Sequence, residues 1–220
     1  MIITGSSLPH RTACISSFLI ALRWADEMRI IALLILCSAL YAGGAVQRCQ
    51  SYTQEVRRYH WLQFGTNYPW WYGVGQLHQE AGCRDVISRD GVGSRGLPQI
   101  TWRWHKETLQ KHGIKSLDAI PDQLKAQAIL MKQFWVPKYG LWVTYQRYNG
   151  GDYVIKELGR AGVENWELAK AQCRRGQSCF TYPSGKRECV SNCEINYDYS
   201  VKVYRYGKLY AIGSDQIKFW

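Results

Sequence analysis

The sequence predicts a mainly α-helical fold of the α+β class, in which a helical domain carries a small disulfide-rich β extension at its C-terminus. Three observations lead to this expectation. Apolar residues recur at helical spacing in successive segments between positions 51 and 174. Four cysteines follow within residues 173–193, and the chain beyond them alternates between apolar and polar side chains. With 220 residues, of which 46% are hydrophobic, the chain is long enough to bury one substantial core.

Residues 1–45 are expected to direct export rather than to form part of the fold. Residues 30–46 are uncharged and strongly apolar, lie between Arg29 and Arg48, and end in small residues. This pattern is typical of a signal peptide or a releasable signal-anchor, and a retained membrane anchor is the competing interpretation. Met28 stands just before the segment, so residues 1–27 are predicted to be an upstream extension. We therefore expect an exported protein, periplasmic or secreted, with transient membrane contact through residues 30–46.

The helical domain is assigned to residues 46–172, and its elements follow from apolar spacing and from stop signals. Asn67 and Pro69 are suited to begin the second helix, since asparagine caps helices and proline is tolerated in the first turn. Gly113 and Pro137 interrupt helical patterns further along. The predicted helices cover 51–64, 69–80, 101–112, 124–135, 141–148 and 163–174.

The cysteines after the apolar segment are even in number, which suits an oxidising compartment. They are Cys49, Cys83, Cys173, Cys179, Cys189 and Cys193. Fifteen pairings are possible on paper. We expect Cys49 to pair with Cys83 and the four cysteines of the cluster to pair among themselves. A zinc site in the cluster is the alternative, although the cluster contains no CxxC.

The Cys-rich tail, residues 173–220, is predicted to form a short β element. Between positions 196 and 210, Tyr197, Tyr199, Val201 and Val203 alternate with polar residues, which is typical of strands. A disulfide-linked segment of this size is expected to pack against the helical domain and to support it as a structural brace. Its tyrosines and positive charge leave a sugar-binding or wall-binding surface as the second interpretation.

The chain is strongly basic. Lys and Arg outnumber Asp and Glu by 28 to 17, giving a formal charge of +11. Such a charge favours an anionic polymer or surface as partner. Because the sequence has no long Lys/Arg run and no nucleic-acid motif, we do not expect nucleic acid to be that partner.

One glutamate, Glu80, is placed as a general acid would be. It follows Trp71, Val74 and Leu77 at helical spacing and precedes a glycine-rich loop. Desolvation by those apolar neighbours would favour the neutral carboxylic acid and raise its pKa. Glycines let main chain approach a ligand closely, so the loop could form one wall of a groove beside the carboxyl group.

At these positions the sequence resembles the soluble-type (SLT) lytic transglycosylases of the lysozyme-like superfamily. Their glutamate, serine, Gly-Leu-Met-Gln-Ile block and Ala-Tyr-Asn-Ala-Gly block correspond in order to Glu80, Ser88, residues 96–100 and residues 147–151. The resemblance covers roughly residues 56–161. Two departures stand out: Ala81 replaces the serine after the glutamate, and Pro98 replaces methionine.

The resemblance implies a lysozyme-like helical domain that cleaves the MurNAc-GlcNAc β-1,4 bond of peptidoglycan. In that family one glutamate acts first as acid and then as base toward the C6 hydroxyl of the substrate, which gives a 1,6-anhydro product. Glu80 would take the catalytic role, and the substrate-binding residues would be Ser88, Gln99, Tyr148 and Asn149. The alternative is that Ser88 and Asn149 are caps and that Gln99 and Tyr148 only hydrogen-bond the loop. No metal or other cofactor is implied, and the protein is expected to be a monomer that acts on glycan strands.

The same residues allow other functional interpretations. Asp85 or Asp90 could act as a second carboxylate, which would make the protein a hydrolase similar to goose-type lysozymes. Alternatively, both aspartates are solvated turn residues. Ala81 also leaves open a catalytically silent wall-binding or virion protein, and the basic charge leaves open a membrane-anchored interaction protein. An active enzyme could serve phage lysis or entry, or act as an exported bacterial wall enzyme.

Overall fold

The chain folds into a series of α-helices with one two-stranded antiparallel sheet near its C-terminus. The computed structural model describes residues 44–88, 92–181 and 184–212, and residues 44–50 are already helical. The helices that follow are α1 (Thr53–Phe64), α2 (Trp71–Ala81), α3 (Trp102–Lys111), α4 (Ile120–Phe134), α5 (Gly140–Gly150), α6 (Tyr153–Ala161), α7 (Trp166–Lys170) and α8 (Asn192–Gly207). A 3₁₀ turn covers Pro137–Tyr139, and the strands are β1 (Gln177–Thr181) and β2 (Arg187–Ser191).

The predicted fold class is confirmed, but the position of the β element was wrong. Residues 196–210 do not form a hairpin: they lie mostly within α8. The sheet comes earlier, and its register pairs Cys179 with Cys189. Two further corrections concern helices, because the segment predicted at 163–174 contains only the five-residue α7, and α6 was not predicted.

Helix α2 lies at the centre of the core and is buried along almost its whole length. The last helix, α8, packs directly against it, and glycines permit this close approach. A Cβ atom added at Gly75 would lie 2.2 Å from the carbonyl oxygen of Val203, and one added at Gly207 would lie 2.9 Å from the carbonyl oxygen of Trp71. Tyr199 and other α8 residues therefore share one hydrophobic cluster with α2, and this cluster spans the boundary predicted at 172/173.

The expected disulfide pairing is confirmed. Cys49 pairs with Cys83, while Cys173 pairs with Cys193 and Cys179 with Cys189. The first bridge joins the helical residues before α1 to the end of α2, and the second fixes the start of α8 to the chain that follows α7. Three disulfides indicate that the protein matures in an oxidising compartment.

The predictions for residues 1–43 lie outside the described residues. These are the upstream extension and nearly all of the apolar segment at 30–46. Within the part of the chain that the structure describes, none of the helices combines the length and apolar character needed to cross a bilayer.

Candidate active site

The five predicted site residues line one cleft of about 390 Å³. Glu80 comes from the last turn of α2, Ser88 and Gln99 come from the loop after it, and Tyr148 and Asn149 come from the end of α5. The complete lining is Glu80, Ser88, Val92, Ser94, Gln99, Ile100, Thr101, Trp104, His105, Tyr148 and Asn149. Most of these side chains carry hydrogen-bonding groups, which suits a polar ligand such as a sugar.

Glu80 is held at a defined helix end. Gly82 closes α2 in the left-handed conformation (φ 56°), and its N–H donates to the carbonyl of His78 at 3.0 Å. Burial raises the pKa of Glu80 to about 7, even though a hydrogen bond from Tyr199 lowers it. At neutral pH the carboxyl group therefore exists in both protonation states, as an acid that later serves as a base requires.

Tyr199 is a site residue that the sequence did not reveal. It lies on α8, 119 positions from Glu80, and its hydroxyl donates to Oε1 of Glu80 at 2.5 Å. The residue is only 6% exposed, so its hydroxyl is held by packing as well as by this bond. The sequence signal available was its place on the buried face of a helix, and the strand prediction for 196–210 concealed that signal.

Gln99 supports the loop that forms the cleft wall. Its backbone takes the left-handed conformation (φ 51°), which is uncommon for a residue other than glycine. Its Nε2 donates to the carbonyls of Gly96 at 2.7 Å and Val86 at 3.0 Å. The side chain thus lines the cleft and also fixes the loop geometry.

Tyr148 and Asn149 connect α5 to the rest of the site. The hydroxyl of Tyr148 donates to the carbonyl of Pro98 at 2.7 Å, and Nδ2 of Asn149 donates to Oδ1 of Asn196 at 2.7 Å. Burial, and secondarily the neighbouring Glu80, raise the pKa of Tyr148 well above its usual range. Tyr148 is therefore a neutral hydrogen-bonding group at physiological pH.

Glu80 is the single carboxylic acid among the described residues that line the cleft. Asp85 does not line it: this exposed side chain accepts a hydrogen bond from Nε2 of Gln123 at 3.0 Å. Asp90, the other proposed second carboxylate, lies outside the described residues. Ala81 is buried and likewise does not belong to the described lining of the cleft.

Several lining residues were not predicted. Ser94 and Thr101 bond to each other through their hydroxyls at 2.7 Å. His105 is partly buried, and burial lowers its pKa. Trp104 is 65% exposed, so it offers an aromatic face at the cleft. Across residues 44–88, 92–181 and 184–212, no group of three or more His, Cys, Asp or Glu side chains is placed to hold a metal ion.

A scan against known protein-family models gives no match for this chain, and a search of curated proteins gives none either. Function is therefore inferred from the chemistry of the cleft, together with the order of the motifs that line it.

Proposed function

We propose that this protein is a peptidoglycan lytic transglycosylase, with Glu80 as its general acid and base. One observation carries the proposal. The single carboxylic acid among the described lining residues, with its pKa raised to about 7, lies in a polar cleft beside the four residues that the motif resemblance assigns to substrate binding. Such a group can donate a proton near neutral pH and can also take one back.

The reaction needs one carboxyl group in two roles. Protonated Glu80 gives its proton to the glycosidic oxygen as the bond to C1 of the muramic acid breaks and positive charge develops on that sugar ring. The resulting carboxylate then accepts the proton of the C6 hydroxyl as its oxygen bonds to C1, which closes the 1,6-anhydro ring and regenerates the acid. Between these steps the hydroxyl of Tyr199, 2.5 Å from Oε1, stabilises the carboxylate.

A hydrolytic reaction is the second candidate, because a suitably placed carboxylate would activate water instead. Asp85 is held by Gln123 away from the cleft lining, which favours the transglycosylase mechanism over one that uses this residue. The proposed setting is the periplasm or the exterior of a bacterial cell, where glycan strands are accessible and disulfides persist.

The test compares wild type, Glu80→Gln and Asp85→Asn on purified peptidoglycan. We expect the turbidity to clear with wild type and with Asp85→Asn. Glu80→Gln should lose at least about a hundredfold in rate, because general acid catalysis is commonly worth that much. A thermal melt shows whether each variant is folded. Clearing by folded Glu80→Gln at the wild-type rate would overturn the proposal.

Mass analysis of the released muropeptides then identifies the reaction. Anhydro ends, which lack one water relative to reducing ends, are the expected product. Reducing ends together with a loss of activity in Asp85→Asn would indicate a two-carboxylate hydrolase.

A further inference from the structure

A second cavity, of about 370 Å³, lies between α5 and α7 and shares no lining residue with the Glu80 cleft. We call it the α5–α7 cavity. Its lining includes Tyr139, Trp142, Gln146, Glu164, Trp166 and Glu167. Aromatic rings are thus combined with amide and carboxylate groups in a concave site, which is the composition of a small-molecule site rather than of a core void.

The aromatic wall of this cavity is fixed from behind. Tyr139, Trp142 and Gln146 follow one another at helical spacing, so they present one face of the α5 region. Nε1 of Trp142 donates to the hydroxyl of Tyr72 at 3.3 Å, and the indole packs against the ring of Tyr204 at 5.8 Å. A preorganised indole loses little conformational freedom when a ligand stacks on it.

Two buried residues of the lining carry polar atoms without a partner in the described structure. Nε2 of Gln146 donates to Oγ of Ser200 at 2.9 Å, but its Oε1 has no partner. Nε1 of Trp166 has none either. Both residues are at most 2% exposed. Because buried polar groups are normally paired, these two atoms are hydrogen-bonding groups in the wall of the cavity that the described residues do not satisfy.

The two carboxylates of the lining disfavour an anionic ligand, and Lys138 disfavours a cationic one at Glu164. Glu164 and Glu167 are exposed carboxylates of the lining. The chain supplies its own cation to the first, since Nζ of Lys138 lies 3.3 Å from Oε1 of Glu164 and 5.4 Å from the centre of the Tyr139 ring. A ligand ammonium group would have to compete with Lys138. Sugar hydroxyls, in contrast, can bond to these carboxylates without displacing it.

We propose that the α5–α7 cavity is a second carbohydrate site, which binds an N-acetylhexosamine unit. The apolar face of the sugar ring stacks on Trp142, and its hydroxyl groups bond to the exposed carboxylate of Glu167. The identity of the sugar rests on the proposed function, because a second site on the same glycan polymer would hold the enzyme on its substrate by raising the effective concentration.

The test uses the full chain with Glu80→Gln and with ¹⁵N-labelled tryptophan, titrated with the soluble tetramer of N-acetylglucosamine. Indole N–H signals are assigned with single Trp→Phe variants. Trp104 reports on the Glu80 cleft, whereas Trp142 and Trp166 report on the α5–α7 cavity. We expect the latter two signals to shift and saturate together. Glu167→Ala should weaken that response at least tenfold and leave the Trp104 response unchanged.

The controls separate the two proposals. Glu55→Ala, on α1 and outside both linings, should change neither response. Shifts confined to Trp104 would overturn the second site and leave the proposed function standing. Shifts confined to Trp142 and Trp166 would support the second site but count against the cleft. If n-butylammonium shifts these two signals and the tetrasaccharide does not, the cavity is a cation site and the proposal is wrong.

Discussion

At the scale of single residues, two effects set the proton affinity of Glu80, and they act in opposite directions. Burial of the carboxyl group raises its pKa, and the hydrogen bond from Tyr199 lowers it. Burial is the larger effect, so the pKa settles at about 7. With burial alone the carboxyl group would stay protonated to higher pH, and with the hydrogen bond alone it would be ionised at neutral pH and unable to donate a proton.

Tyr199→Phe tests this balance. Loss of the hydroxyl removes the bond that stabilises the carboxylate, so the pKa of Glu80 should rise further. Since the first step needs protonated Glu80, the alkaline limb of the pH–rate profile should move to higher pH. The rate at neutral pH should fall about tenfold because the carboxyl group is less well positioned.

Tyr206→Phe is the matched control, because Tyr206 is also on α8 but its ring stacks on His78 rather than at Glu80. This variant should keep the wild-type pH profile. If the Tyr199→Phe variant is less stable but the alkaline limb of its pH–rate profile does not move, Tyr199 contributes packing only.

The raised pKa of Glu80 also predicts how stability depends on pH. Folding raises this pKa from its ordinary value of 4.5 to about 7, so the folded state holds the proton more tightly than the unfolded chain. Below pH 4.5 Glu80 therefore does not lower the free energy of unfolding. As the pH rises from 4.5 to 7, the unfolded chain releases the proton first, and the free energy of unfolding falls. Glu80→Gln should remove this dependence, which is worth up to about 3 kcal/mol.

Urea unfolding of both proteins between pH 4 and 8 measures the difference. Buried His60, whose pKa is lowered to about 4, acts in the opposite direction because it must be protonated as the pH falls. Its contribution is common to both proteins and cancels in the comparison. A constant difference across this range would mean that the Glu80 carboxyl is fully solvated.

The resemblance to the family motifs was enough to select five residues that line one cleft, because each motif is a short segment of the chain. Tyr199 could not be found in this way. Nothing within its own segment indicates that it meets Glu80, since that contact depends on how α8 packs against α2. A partner 119 positions away is set by tertiary packing and not by local pattern.

At the scale of elements, the packing of α8 on α2 brings Tyr199 and Glu80 together. The helices approach so closely that the positions where they cross must be glycine. A Cβ at Gly75 would lie 2.2 Å from the carbonyl oxygen of Val203 and 2.5 Å from the backbone nitrogen of Gly207. Both obstacles are backbone atoms, which cannot move without shifting α8.

Gly75→Ala should therefore destabilise the protein and separate Tyr199 from Glu80. We expect a loss of more than about 2 kcal/mol in the free energy of unfolding, since overpacking against backbone is costly. Gly159→Ala is the matched control, because this glycine lies within α6 with no atom within 4 Å of an added Cβ. It should stabilise the protein by roughly 0.5 to 1 kcal/mol through helix propensity. Equal effects of the two substitutions in urea unfolding would contradict the packing account.

The same helix explains why the strand prediction for residues 196–210 was wrong. Tyrosine and valine at every second position favour a strand, but the buried residues are spaced by three or four, as on a helix. They are Asn196, Tyr199, Ser200, Val203 and Gly207. Ser191 caps the helix by accepting from the N–H of Cys193 at 3.2 Å, and contact with α2 overrides the strand preference of the tyrosines.

At the scale of the whole molecule, two disulfides connect the Glu80–Tyr199 pair to segments that precede α1 and follow α7. Cys83 lies three residues after Glu80 and bonds to Cys49, just before α1. Cys193 lies six residues before Tyr199 and bonds to Cys173. Each partner of the Glu80–Tyr199 pair is thus anchored within two turns of a helix by a covalent link.

These links predict different consequences for two disulfides of the tail. Replacing either pair with alanine should lower the free energy of unfolding by about 2 to 4 kcal/mol. The variant without Cys173–Cys193 frees the start of α8, so it should also lose activity on peptidoglycan, and its pH–rate profile should move toward that of Tyr199→Phe.

The variant without Cys179–Cys189 changes only the β1–β2 hairpin, whose paired cysteines lie opposite each other in register. It should therefore keep wild-type activity when assayed well below its melting temperature. If the two variants lose activity equally at matched stability, the hairpin itself takes part in binding the glycan, and the tail is more than a brace.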